Sequence, residues 1–155
     1  MKKFPLKSHP INLYEQDYLQ WIQTTLNQLQ YQDYANVDWE NLIEEIADMG
    51  RRERRSFVSN LIILLLHLLK WQYQIEMRSG SCKGSIIEHR RRLHQILKDS
   101  PSLKPYLEEI LPQCYQDARQ QASAETELSL ETFPPNCHYQ ISEIIDSEFF
   151  PHTPN

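Results

Sequence analysis

Glycine is nearly missing from this sequence: three occur in 155 residues. A chain this poor in glycine has no glycine-rich phosphate loop and few tight β-turns. Cysteine is also scarce. Cys82, Cys114 and Cys137 are odd in number and far apart, and no pair has zinc-like or redox spacing. Long apolar runs are absent too. The longest, Leu61 to Leu69 with His67 inside it, is about half of what a membrane-spanning helix needs. The opening "MKKFPLKSHP" puts no apolar core after its lysines, which excludes a secretory signal and leaves a reducing cytosol as the expected compartment.

The motifs of common chemistries are missing as well. The chain has no Glu-x-x-His pair of the kind that binds iron in helical bundles, and no His-Glu-x-x-His. His89 and His94 stand about 140° apart around a helix and cannot share a ligand face. Ser56 and His67 share a side but lie three turns apart. The sequence therefore predicts no metal, no cofactor and no catalytic residue that can be named. A net charge of -5 argues against a general nucleic-acid binder, without excluding a local basic patch.

What is present is helical periodicity. Apolar residues recur every 3.6 positions and strand-like alternation is scarce, so the reading is all-α. The expected architecture is one bundle of about five helices over residues 13–151, with tails at 1–12 and 152–155. Asn12 is the expected first cap, with Tyr14, Tyr18, Trp21, Ile22, Leu26 and Leu29 as one stripe. Asp38 caps a second helix that buries Trp39, Leu42, Ile43, Ile46 and Met49. Gly50 ends or kinks it. A central apolar helix near residues 51–75 follows, with the seam Phe57, Leu61, Leu64, Leu68, Trp71 and Ile75. After the turn "RSGSCKGS", Ile86, Ile87, Leu93 and Leu97 carry a fourth helix. Ser100 and Pro101 are read as the start of a fifth, which Pro112 bends or splits. A short helix is expected near Ile141 to Asp146.

Two features remain as candidate sites. On the central helix, Asn60, His67, Lys70 and Gln74 form a polar strip among apolar residues. A buried unpaired charge is costly, so Asp17, Glu45, His67, Lys70 and Arg90 are expected to form one partly buried network. That network either fixes helix register or serves an enzyme or a small-molecule site. The second feature is the pair of basic clusters, Arg51, Arg52, Arg54 and Arg55, and Arg90, Arg91 and Arg92. They are a solvated face, a surface for a protein partner, or a nucleic-acid contact. No aromatic-interleaved basic stripe accompanies them.

The stretches "LYEQDYLQW", "DWENLIEEIADMGRRERR", "HLLKWQYQ", "DSPSL" and "ETFP" occur in that order. Together they resemble a bacterial family, domain of unknown function 29, frequent in photosynthetic bacteria, over about Leu13 to Pro151. Its pattern includes Asp17, Trp39, Glu44, Glu45, Gly50, His67, Lys70 and Trp71. Cys82 stands where the family commonly has an aromatic, and His138 where it commonly has a proline. The resemblance implies a soluble all-helical bundle and brings no activity, cofactor or catalytic residue. The reading that follows is a non-catalytic protein-interaction module. A protein is the first expected partner, nucleic acid a lesser one, and a membrane none.

Overall fold

Helices form here wherever a cap or a turn lets the apolar period run. The computed structural model describes residues 12–154; most of the expected N-terminal tail, and Asn155, lie outside them. Among the described residues there are six α-helices and no strand: α1 (Leu13–Gln16), α2 (Tyr18–Gln30), α3 (Trp39–Tyr73), α4 (Gly80–Asp99), α5 (Leu103–Thr126) and α6 (Ile141–Ile145). The chain is all-α. It divides into two compact units, Met1–Gly50 and Arg51–Asn155, with α3 running through the boundary.

In the first unit, the expected cap is displaced. The Asn12 side chain makes no capping bond, and α1 ends after one turn because Asp17 leaves helical geometry at φ -150°, ψ 88°. Asp17 then accepts a hydrogen bond from the Gln20 backbone N–H at 2.9 Å and starts α2. Asp38 behaves as the sequence suggests. Its carboxylate takes the Asn41 N–H at 3.4 Å, the Asn41 side-chain amide at 2.7 Å and the Trp21 indole N–H at 3.1 Å. Trp21, Thr25 and Val37 are buried. The remaining expected core positions are not. Ile43, Ile46 and Met49 are each more than half exposed, and Tyr18, Ile22 and Leu26 are exposed as well. Two main helices that meet along one side each cannot also cover a second apolar stripe.

In the second unit the core is as apolar as the sequence promises. Phe57, Leu61, Leu64, Leu65, Leu68 and Leu69 of α3 are fully buried, packed with Ile86 and Leu93 of α4, Tyr115, Ala118 and Ala122 of α5, and Phe133 and Ile144. The lower end of the expected seam departs from it: Trp71 is partly buried and Ile75 is exposed. Ile87 is also exposed rather than part of the α4 stripe.

Three expected helix boundaries do not fall where the sequence places them. Gly50 neither ends nor divides α3, which is 35 residues long, so two expected helices are one. A mid-helix glycine costs about 1 kcal/mol, too little to break a helix with good formers on both sides. Pro112 does not split α5, which runs from Leu103 to Thr126. The roughly 3 kcal/mol it costs is offset by burial of Leu107, Cys114 and Tyr115 around it. Ser100 is a C-cap rather than an N-cap: its N–H closes α4 on the Ile96 carbonyl at 2.8 Å, and α5 begins two residues after Pro101. In "RSGSCKGS", Ser79 accepts from the Cys82 N–H at 3.1 Å, so α4 begins inside the expected turn.

Candidate functional site

The polar strip of α3 meets helices α4 and α5. Asn60 is buried; its amide donates to the Ser56 carbonyl at 2.8 Å, and its oxygen lies 2.8 Å from His89 Nδ1 of α4. One to two turns on, His67 Nδ1 lies 3.6 Å from the Cys82 sulfur, whose thiol also reaches the His67 carbonyl at 3.6 Å. Lys70 Nζ donates to Glu125 of α5 at 2.9 Å. The acid that pairs with Lys70 is thus Glu125, which nothing in the sequence pattern singled out.

Burial sets the charge state of this strip. It pushes His67 below the usual imidazole value, and the neighbouring Lys70 charge pushes the same way while Glu125 opposes. Burial lowers His89 too, helped by Arg92. Burial raises the Cys82 thiol, against Lys70 and Arg78. The Lys70 hydrogen bond holds the Glu125 carboxylate below its usual range. The result is a neutral imidazole beside a protonated thiol. Both shifts run opposite to the thiolate–imidazolium pair that a cysteine nucleophile uses. The Lys70–Glu125 pair is partly solvated, and such pairs contribute about 0.2–1 kcal/mol.

Arg90 is 2% exposed and belongs to neither the strip nor the basic surface. Its guanidinium takes three backbone carbonyls of the C-terminal segment: Ile144 from Nε at 2.8 Å, Phe149 from Nη2 at 3.0 Å and Ser147 from Nη1 at 3.5 Å. It also sits 5.9 Å from the Phe150 ring centre. The expected ionic partner is replaced by carbonyl dipoles, with the Asp146 charge nearby opposing the pull of burial. Among the described residues, no buried side-chain polar atom lacks a partner.

The basic clusters are largely committed. Arg91 and Arg92 both fold onto Glu88, at 3.0 and 2.8 Å, and their hydrogen bonds hold that carboxylate down to about 2. Arg54 lies 5.9 Å from the Tyr106 ring centre. With Arg55, Val58, Ile62, Ile63 and Tyr106 it lines an open groove of about 490 Å³. Arg51 and Arg52 have contacts of their own.

Asp17 and Glu45 lie in the first unit. Glu45 accepts from the hydroxyls of Tyr14 at 2.5 Å and Tyr18 at 2.9 Å, and its hydrogen bond raises the Tyr14 phenol to about 12. Asp17 caps α2. An open cavity of about 500 Å³ there is lined by Trp21, Thr24, Thr25, Gln28, Asn36 and Asp38 among others. Much of its polar lining is already paired internally: Asp38 with Trp21 and Asn41, Gln28 with the Asn36 carbonyl, and the Asn36 amide with Asp33.

The largest departure from an ordinary surface is also in this unit. Among the described residues, ten of the thirteen exposed large apolar side chains lie between Tyr18 and Met49. Leu19, Ile22 and Leu26 span about 60° of α2, turned away from Trp21; Trp39, Ile43 and Ile46 span about 60° of α3. The sequence placed Ile22 and Leu26 on the α2 stripe and Trp39, Ile43 and Ile46 on a buried side, and did not single out Leu19. Among the described residues, no group of three or more His, Cys, Asp or Glu side chains is placed to hold a metal ion. No helix among them is long and apolar enough to cross a membrane.

A family model described as "Domain of unknown function DUF29" matches residues 13–150. No curated protein and no solved structure matches the chain.

Proposed function

The chain belongs to the DUF29 family, and from that premise we propose that it is a non-catalytic module that binds another protein. One observation carries this reading: the concentration of exposed large apolar side chains on the first unit, ten within Tyr18 to Met49. Single exposed leucines are normal on a protein surface, but sets of them on adjacent turns mark interaction faces. The α3 stripe of Trp39, Ile43 and Ile46 combines an aromatic anchor with branched aliphatics, the kind of composition found at interface centres.

Two other uses of the molecule have less behind them. An enzyme or small-molecule site built on Glu45, His67, Lys70 and Arg90 lacks a convergent arrangement in the second unit, where His67, Lys70 and Arg90 each have separate partners. A nucleic-acid contact through Arg51, Arg52, Arg54 and Arg55 together with Arg90, Arg91 and Arg92 loses one of those arginines to the interior and two to Glu88. Three free thiols fit a reducing compartment such as the cytosol.

The test compares what copurifies with a tagged full-length chain and with its Ile43→Ser/Ile46→Ser variant. Both isoleucines are about 60% exposed, so the fold should persist, as a circular dichroism melt checks. A specific protein lost at least tenfold with the variant supports the reading. Identical protein sets from both chains refute it.

A further inference from the structure

The first unit differs from the second in charge as well as in exposed apolar surface. From Met1 to Gly50 there are eight acids (Glu15, Asp17, Asp33, Asp38, Glu40, Glu44, Glu45 and Asp48) and three lysines, all of the lysines before Asn12. From Arg51 to Asn155 the chain carries thirteen residues of each sign. The negative charge is therefore concentrated on the unit whose apolar stripes are exposed. Glu44, Glu45 and Asp48 make contacts beyond those given above. Setting those three aside still leaves five acids. Asp17, Asp33 and Asp38 accept hydrogen bonds from neutral amide or indole groups, which bring no opposite charge.

We propose that this unit is a docking surface for a basic amphipathic helix of a partner protein. The inference rests on the interaction-module reading above and names the partner's chemistry. Each stripe has the spacing that receives a helix: Leu19, Ile22 and Leu26 at intervals of three and four, Trp39, Ile43 and Ile46 at four and three. An apolar helix face laid on them removes both surfaces from water. The net negative charge of this unit then favours lysine or arginine on the partner's flanks and steers its approach. The same charge disfavours the other occupants. A second copy would set its own acid-rich unit against this one, since a two-fold contact pairs a patch with itself. A nucleic acid or an anionic lipid surface would meet like charge.

The probe is a synthetic helix of about 18 residues made of leucine and lysine, with leucine at i, i+3, i+4 and i+7. Its controls are the same pattern with glutamate for lysine, and a leucine–lysine peptide scrambled to abolish the stripe. Binding to the full chain is read by fluorescence anisotropy. The striped lysine peptide is expected to bind at least tenfold tighter than either control. Its affinity should fall severalfold between about 50 and 500 mM salt, where the screening length shrinks to a few ångströms. It should fall at least tenfold with Ile43→Ser/Ile46→Ser, and measurably with Glu40→Lys.

Equal binding of the lysine and glutamate peptides overturns the proposal, as does indifference to the isoleucine changes. A concentration-dependent dimer in sedimentation, lost in the isoleucine variant, assigns the face to a second copy and overturns it. Peptide binding that appears only after removal of residues 1–11, which carry Lys2, Lys3 and Lys7, assigns the face to the chain's own segment and also overturns it. Failure of the peptide while the isoleucine variant still loses a copurifying protein removes the basic-helix partner and leaves the module reading standing. If neither experiment responds to the variant, both fall.

Discussion

Replacing Arg90 with methionine tests what holds the C-terminal segment to the bundle. Methionine keeps most of the aliphatic stem and removes only the guanidinium. Two hydrogen bonds of good length, to Ile144 and Phe149, are lost together with a marginal one to Ser147. Hydrogen bonds from a charged donor contribute about 1.5–3 kcal/mol each, so the gross loss is about 3–6 kcal/mol. Part of this returns, because the variant no longer desolvates a cation; burial already weighs against the charged form of Arg90. A net destabilisation of about 3 kcal/mol is expected. For a chain of this length each kcal/mol moves Tm by roughly 2–4 °C, so the melt followed by circular dichroism should fall by about 6–12 °C. Limited proteolysis should cut near Asp146–Phe150 earlier in the variant than in the parent. Arg90→Lys should recover part of the loss, since an ammonium can serve one carbonyl well but not the fork of three. If Arg90→Met melts within about 1 °C of the parent and resists protease equally, the guanidinium is not the clamp and the reasoning is wrong.

Gly50→Ala should raise stability by about 0.5–1 kcal/mol in urea titrations, because Gly50 is exposed inside α3 and an added Cβ meets nothing within 4 Å; a loss would mean that the helix does not run through it in solution. Stability should fall as pH drops from 7 to 5. Burial depresses His67, His89 and His138 below the ordinary 6.5, so below that value the unfolded chain binds more protons than the folded one and acid favours unfolding. The urea midpoint at the two pH values checks this, and His67→Gln with His89→Gln should flatten the dependence. Cys82 and Cys114 should react with a thiol reagent at neutral pH at least 100-fold slower in the native chain than in urea. Both are buried, and burial raises both thiols, Cys114 to about 11. Fast native labelling of Cys82 would refute the assignment of a buried, protonated thiol beside His67.

By itself the sequence determined the helical class, the central apolar helix and its buried seam from Phe57 to Leu68, because apolar spacing and propensity act within a few turns. It also identified the polar strip, since Asn60, His67 and Lys70 interrupt that spacing on one side. It did not reveal which residues those side chains meet. A helical wheel fixes the angle of a side chain, while its partner depends on which turn of another helix arrives beside it. Glu125 lies 55 positions from Lys70, and the carbonyls that Arg90 holds lie 54 to 59 positions away. Carbonyls in particular leave no mark in a sequence, so Arg90 reads as surface charge or an ion-pair member until the chain is folded around it. The same limit governs Ile43 and Ile46. Their spacing says that one side of the helix is apolar. Only the tertiary structure decides whether something covers it, because burial is a property of the whole set of packed elements and not of any one of them.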